Sequence, residues 1–158
     1  MRKPTKKIKI GNIFIGGDSP IAIQSMTNTK TADIAATVNQ INLLTDEGCD
    51  IIRVSVDTEN EAWAIKEIKK NITIPLVADI QENYRLALIS IESGADKIRI
   101  NPKYIGDRNK VKEIVAAALE RDIPIRVGVN SGSIKPEFLL KYQDKNNGVC
   151  AESLVESA

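Results

Sequence analysis

The sequence predicts an α/β protein of the parallel (β/α)8 TIM-barrel type, present as an incomplete barrel of about five βα units behind an N-terminal β-hairpin. Three observations predict it. Short β-branched runs alternate at a regular period with amphipathic helical stretches that end at glycine, as in Gly48 and Gly94, which argues parallel βαβ units. No Gly-x-Gly-x-x-Gly follows the first run, which weakens the dinucleotide-binding version of an open doubly wound sheet. Polar residues also recur at matching places in successive runs, which suits inward positions that share a barrel axis.

Taken in order, Ile8 and Ile10 alternate with lysines, Gly11-Asn12 is a turn signal, and Ile13-Phe14-Ile15 is the returning arm of a hairpin that would cover one end of the core. Ile21–Met26 reads as the first barrel strand, running into the polar loop Thr27–Thr31. Asp33–Glu47 is helical, with Ile34, Val38, Ile41 and Leu44 near one face. Ile51–Val56 and Glu59–Lys70 form the next strand and helix, Ile74–Ile80 and Asn83–Ser93 the third pair, Lys97–Asn101 and Asp107–Arg121 the fourth. Pro124–Asn130 is the fifth strand, and Ala151–Ala158 reads as the start of a further helix. Eight such units take about 250 residues. With 158 residues, the chain is expected to be the N-terminal part of a barrel domain spanning 1–158.

Composition narrows the function. Hydrophobic residues at 42% and charged residues at 27% are ordinary for a globular domain. A net charge of +1 gives no long-range steering, so any anion site must be local. Aromatics at 4% are too few for a nucleic-acid stacking platform, and the basic Arg2–Lys7 run reads as a solvated tail, so no nucleic-acid partner is expected. No apolar run approaches the ~20 residues that span a bilayer, and no signal peptide is visible; a cytoplasmic protein without a membrane partner is expected. The chain has no histidine, which removes Ser-His-Asp and Cys-His schemes and the usual zinc-hydrolase sites. Cys49 and Cys150 stand alone, without Cys-x-x-Cys spacing, and read as reduced thiols.

The candidate site begins with an anomaly. Strands of a parallel sheet should be almost continuously apolar. Yet Ile51-Ile52-Arg53-Val54-Ser55, Lys97-Ile98-Arg99-Ile100-Asn101 and Ile125-Arg126-Val127-Gly128 each carry an arginine. A guanidinium cannot shed its charge, and burying it unpaired costs several kcal/mol. Asp79, in Val77-Ala78-Asp79-Ile80, is the expected inward carboxylate, so three guanidinium groups exceed the local anions. A phosphate or diphosphate would satisfy their planar forks. The alternative is that the arginines face the helices and pair with residues such as Glu92 and Glu113. Asn101 and Asn130 would end their strands as neutral partners for ligand oxygens or loop backbone, and Gly128 would leave room for a ligand or mark close packing. Met26 and Thr27, within Gln24-Ser25-Met26-Thr27-Asn28-Thr29, would line the pocket mouth or belong to a polar loop.

Five ordered motifs carry a resemblance: Gln24–Thr29, Arg53-Val54-Ser55-Val56, Pro75–Ile80, Arg99-Ile100-Asn101-Pro102 and Pro124–Ser133. From about Ile8 onward the chain resembles the N-terminal barrel of the 4-hydroxy-3-methylbut-2-enyl diphosphate synthase family. The resemblance implies reductive ring opening of 2-C-methyl-D-erythritol 2,4-cyclodiphosphate in isoprenoid biosynthesis, with flavodoxin or ferredoxin as electron donor. It implies a 4Fe–4S cluster, held by three cysteines and a glutamate of a separate C-terminal domain that is not in this chain. That domain closes over the barrel mouth of another subunit of a homodimer. By motif, Arg53, Arg99 and Arg126 would clamp the diphosphate, with Asp79, Asn101 and Asn130 around the polyol. The family usually has a histidine directly after its Ala-Asp-Ile. Gln81 stands there in this chain, and an amide keeps a hydrogen bond but transfers no proton at neutral pH. Neither Cys49 nor Cys150 matches a cluster ligand. Two further readings stay open on the residues alone: another barrel enzyme on a phosphorylated small molecule, such as an aldolase or pterin synthase, or an inactive partial barrel associating through its edges.

Overall fold

The computed structural model describes residues 4–130. The last residues of the expected chain path, including the helix start at Ala151–Ala158 and Cys150, lie outside the described residues. The hairpin pairs β1 (Ile8–Ile10) with β2 (Ile13–Ile15) in antiparallel register, Ile10 opposite Ile13. Gly11 takes φ +54° at its turn, a left-handed value that glycine adopts without strain.

Behind it runs one parallel sheet in the order β3 (Gln24–Met26), β4 (Ile51–Val56), β5 (Leu76–Ile80), β6 (Lys97–Ile100) and β7 (Ile125–Val127). Each strand pairs with the next in sequence. A doubly wound sheet reverses its strand order at a switch point; this one does not reverse. Successive right-handed crossovers without reversal put every connecting helix on one face, as in a barrel wall. The helices α1 (Ile34–Asp46), α2 (Glu59–Lys70), α3 (Tyr84–Glu92) and α5 (Arg108–Glu120) cover that outer face. Their Ile41, Ile65, Ile91 and Ile114 join Ile52, Val54, Ile80 and Ile98 of the strands in the main core. The expected α/β barrel wall of five strands and its leading hairpin are what the structure contains.

Helix starts follow local chemistry. Asp33, Asn83 and Asp107 each accept from a backbone N–H of the first turn, and Thr58 with Glu61 makes a full capping box on α2.

The boundaries differ from expectation in four of the five strands, the third being Leu76–Ile80 rather than Ile74–Ile80. The first barrel strand is Gln24–Met26 rather than Ile21–Met26, because Ile23 donates its N–H to the Asp50 carboxylate at 2.8 Å instead of joining a ladder. Ile21 is 80% exposed. The fourth strand stops at Ile100, since Asn101 and Pro102 open a short helix, α4 (Pro102–Ile105), that periodicity does not reveal. Its signal was a proline at the first helical position behind an Asn cap. The fifth strand ends at Val127, not Asn130.

The inner face has a sealed end. Ile10 of the hairpin is fully buried with Ile51 and Val77, near the start of β4 and β5, and Ile13, Ile15 and Ala22 pack around them. The hairpin thus plugs the N-terminal end of the sheet, leaving the C-terminal ends of the strands to carry polar groups. Ile10→Ala is expected to lower the unfolding free energy by about 2–5 kcal/mol, measured by urea denaturation; a change under about 0.5 kcal/mol would show that the plug is not part of the core.

Candidate functional site: a cationic cluster on the inner face

Two registered rows build the site. Across the lower row stand Met26, Arg53, Val77 and Lys97; across the upper row stand Ser55, Asp79, Arg99 and Arg126. Residues opposite one another in adjacent strands point to the same face, and the two rows lie two residues apart on it. The residues of these two rows therefore face away from the helices, while Ile52, Val54, Ala78 and Ile98 between them pack outward. The alternative in which the arginines turn to helix carboxylates does not hold for Arg53 and Arg99.

Both close on Asp79 instead. Arg99 Nη1 donates to Asp79 Oδ1 at 3.0 Å, and Arg53 Nε lies 3.5 Å from Oδ2, reaching up from the lower row. The Asp79 side chain is 5% exposed. Its two oxygens thus each serve one guanidinium, a bridge that fixes both forks on the floor of the site. Met26 completes the set, its Sδ 3.2 Å from Arg53 Nε. Gly128, in the next strand's continuation, faces Arg99 so closely that an added Cβ would collide with the guanidinium carbon and nitrogens. Of the two roles open to Gly128, the structure selects close packing.

The other expected residues fall in different settings. Thr27 is 6% exposed and supports Arg53 through the backbone, donating its N–H to the Arg53 carbonyl at 3.0 Å; its hydroxyl has no partner among the described residues. Asn101 is 2% exposed and its Oδ1 accepts from the Lys103 N–H at 3.2 Å, so this oxygen serves as a helix cap. Arg126 is beside Arg99 in register and exposed on the outermost strand, and Asn130 lies exposed beyond it. Gln81 lies exposed where β5 ends, lining with Asp57, Glu82 and Asn83 a cleft of about 460 Å³.

One cation of the cluster escaped the sequence reading. Lys97 heads its strand and looks like a solvated end residue, but its register places it on the inner face level with Arg53, where it is half-buried. Burial and then the neighbouring Arg126 charge push its ammonium below the usual lysine value. The signal was available: Lys97 precedes Arg99 by two residues and so shares its face. Lys97 and Arg126 have no ion-pair partner among the described residues, so four cations here meet the one carboxylate of Asp79.

Cys49 is buried at 7% exposure, its thiol donating to the Ile51 carbonyl at 3.0 Å. Among the described residues no three or more Cys, Asp or Glu side chains gather as a metal site, and no helix is long and apolar enough to cross a membrane.

Fold and site together define a parallel α/β barrel wall whose inner face carries more cationic side chains than carboxylates among the described residues. Residues 5–158 match the GcpE TIM-barrel domain, and the chain belongs to that family. It is 60% identical over its full length to the 4-hydroxy-3-methylbut-2-en-1-yl diphosphate synthase (flavodoxin) of Caldanaerobacter subterraneus subsp. tengcongensis, covering 43% of that protein. Proteins of the same description from Ruminiclostridium cellulolyticum and Fusobacterium nucleatum are 54% and 53% identical over 99% and 100% of the chain, which spans 43% and 44% of them. The chain therefore spans less than half the length of these curated relatives. Among solved structures, Xanthomonas albilineans dihydropteroate synthase superimposes with a TM-score of 0.59 at 14% identity, over 96% of this chain and 57% of that one, a likeness of fold.

Two outcomes test the geometry. Asp79→Asn removes the negative charge and leaves one acceptor oxygen for two guanidinium groups, and is expected to cost about 1–3 kcal/mol of stability by urea denaturation at neutral pH; an unchanged midpoint would contradict the bridge. The lowered Lys97 pKa means that, between that lowered value and the 10.5 of an ordinary lysine, the unfolded chain binds the extra proton. Stability should then rise with pH through that window, and Lys97→Met should flatten the rise.

Proposed function

We propose that this chain is the substrate-binding part of a 4-hydroxy-3-methylbut-2-en-1-yl diphosphate synthase, holding 2-C-methyl-D-erythritol 2,4-cyclodiphosphate for reductive ring opening. The observation that carries the reading is the excess of cations over carboxylates on the inner face, in a chain whose relatives bear that name. Arg53 and Arg99, held on Asp79, present forks whose remaining N–H groups aim at phosphoryl oxygens. Arg126, unpaired among the described residues, closes on the same diphosphate from the neighbouring strand. Asp79, Asn101, Asn130, Met26 and Thr27 complete the surroundings of the ligand, Asp79 chiefly by orienting arginines and Asn101 by shaping the loop. Gln81 at the mouth donates and accepts hydrogen bonds to the polyol or to a closing domain without moving a proton.

The family's 4Fe–4S cluster does not fit the described residues: Cys49 is buried behind the sheet on a backbone carbonyl, and no other candidate ligands gather. The resemblance puts the cluster's three cysteines and glutamate in a separate C-terminal domain. A flavodoxin, or a ferredoxin, is the proposed electron donor, in a cytoplasmic homodimer.

Calorimetric titration of the intact protein tests the reading. The cyclodiphosphate should bind at least about tenfold more tightly than a sugar monophosphate, and Arg126→Met should weaken it by about tenfold or more, or about 1.4 kcal/mol. Equal affinity for the two ligands would sink the assignment to this substrate.

A further inference from the structure

The four cations are not equivalent. Arg53 and Arg99 share the Asp79 carboxylate, one oxygen each. Lys97 and Arg126 share no carboxylate among the described residues, yet they stand close enough for each charge to be felt by the other. Lys97 is in the lower row, one strand from Val77, and Arg126 is in the upper row on the strand beyond it. The two therefore occupy diagonal positions on neighbouring strands β6 and β7, with Arg99 between them in sequence and space. Toward the hairpin end the face turns apolar, at Ile51 and the Ile10 plug, with Val77 beside Lys97 in its own row.

We propose that Lys97 is a fourth anion-binding residue of this site, and that Lys97 with Arg126 forms the open half of a two-part clamp whose other half, Arg53–Asp79–Arg99, is preassembled. Two like charges on neighbouring strands, the lysine half-buried and the arginine exposed, repel one another, and an incoming phosphoryl group offsets that repulsion. The preassembled half loses no carboxylate when ligand arrives, so it orients; the open half gains its first counter-charge, so it supplies the larger share of the attraction. A ligand with two linked phosphoryl groups fits both halves, whereas a monophosphate satisfies one. The charged groups that share the inner face with Lys97 are Arg53, Asp79, Arg99 and Arg126, and of these Arg126 is the one that lowers its proton affinity. This inference rests on the diphosphate reading above.

The test uses inorganic pyrophosphate and inorganic phosphate as probes on the intact protein, by calorimetry with a thermal melt of each variant. Lys97→Met should weaken pyrophosphate about tenfold while affecting phosphate less. Lys97→Arg should stay within about threefold of the parent, and neither should lower the melting temperature. Lysine acylation read by mass spectrometry needs no variant: pyrophosphate should slow labelling of Lys97 at least about threefold, with Lys66 and Lys112 on the outer helices as unchanged references. Unaltered pyrophosphate affinity in a folded Lys97→Met variant, or unprotected Lys97 in the parent, would overturn the role of Lys97. Failure of the parent to bind pyrophosphate or the cyclodiphosphate at all would instead overturn the diphosphate reading. A lowered melting temperature with intact affinity would mark Lys97 as a structural residue and overturn the proposal.

Discussion

The carboxylate of Asp79, shared between two guanidinium groups, is the constraint from which the rest of the inner face follows. Two arginines on β4 and β6, either side of β5, would repel one another. One carboxylate on the strand between them, 5% exposed, offsets that cost with a charge-assisted hydrogen bond and a second ion pair. The arrangement demands strict register: Asp79 opposite Arg99, and Arg53 one row lower on the other side. A slip of one residue would turn all three toward the helices and break the apolar core there. The outer face enforces the register in return, because Ile52, Val54, Ala78, Ile80 and Ile98 are buried beneath α1, α2, α3 and α5.

That division gives the wall its polarity. At the N-terminal end the hairpin lays Ile10 against Ile51 and Val77, all three buried. At the C-terminal end, caps and short connections keep backbone donors occupied while side chains stay available. Asn101 caps α4, Asn83 caps α3, and the Thr58–Glu61 box starts α2. A charge cluster placed above an apolar plug sits in a lower effective dielectric than one open on both sides, which strengthens its pull on an anion. The lowered proton affinity of Lys97 reflects the same setting.

The outermost strands are the least settled part of the sheet. β3 and β7 have three residues each against six in β4. Each is paired on one side among the described residues. The expected strands at Ile21–Met26, Ile74–Ile80 and Pro124–Asn130 came out short, while Ile51–Val56 matched residue for residue.

Sequence by itself determined the order and type of the elements apart from α4, because periodicity, caps and turn glycines are local properties. It also determined that arginines recur where a buried strand should be apolar, and the resemblance carried by Gln24–Thr29 and Arg99–Pro102 led to the family. Tertiary structure alone decided how the charges are shared. That Asp79 holds Arg53 and Arg99, that Gly128 yields its space to Arg99, and that Asn101 spends its oxygen on a helix cap all depend on register between strands tens of residues apart. Lys97 shows the limit most plainly: its two-residue offset from Arg99 was legible, but its half-burial beside Arg126 arises only when β6 and β7 lie side by side. Local sequence sets which face a residue takes within its own strand; only the folded sheet sets which charges meet across it.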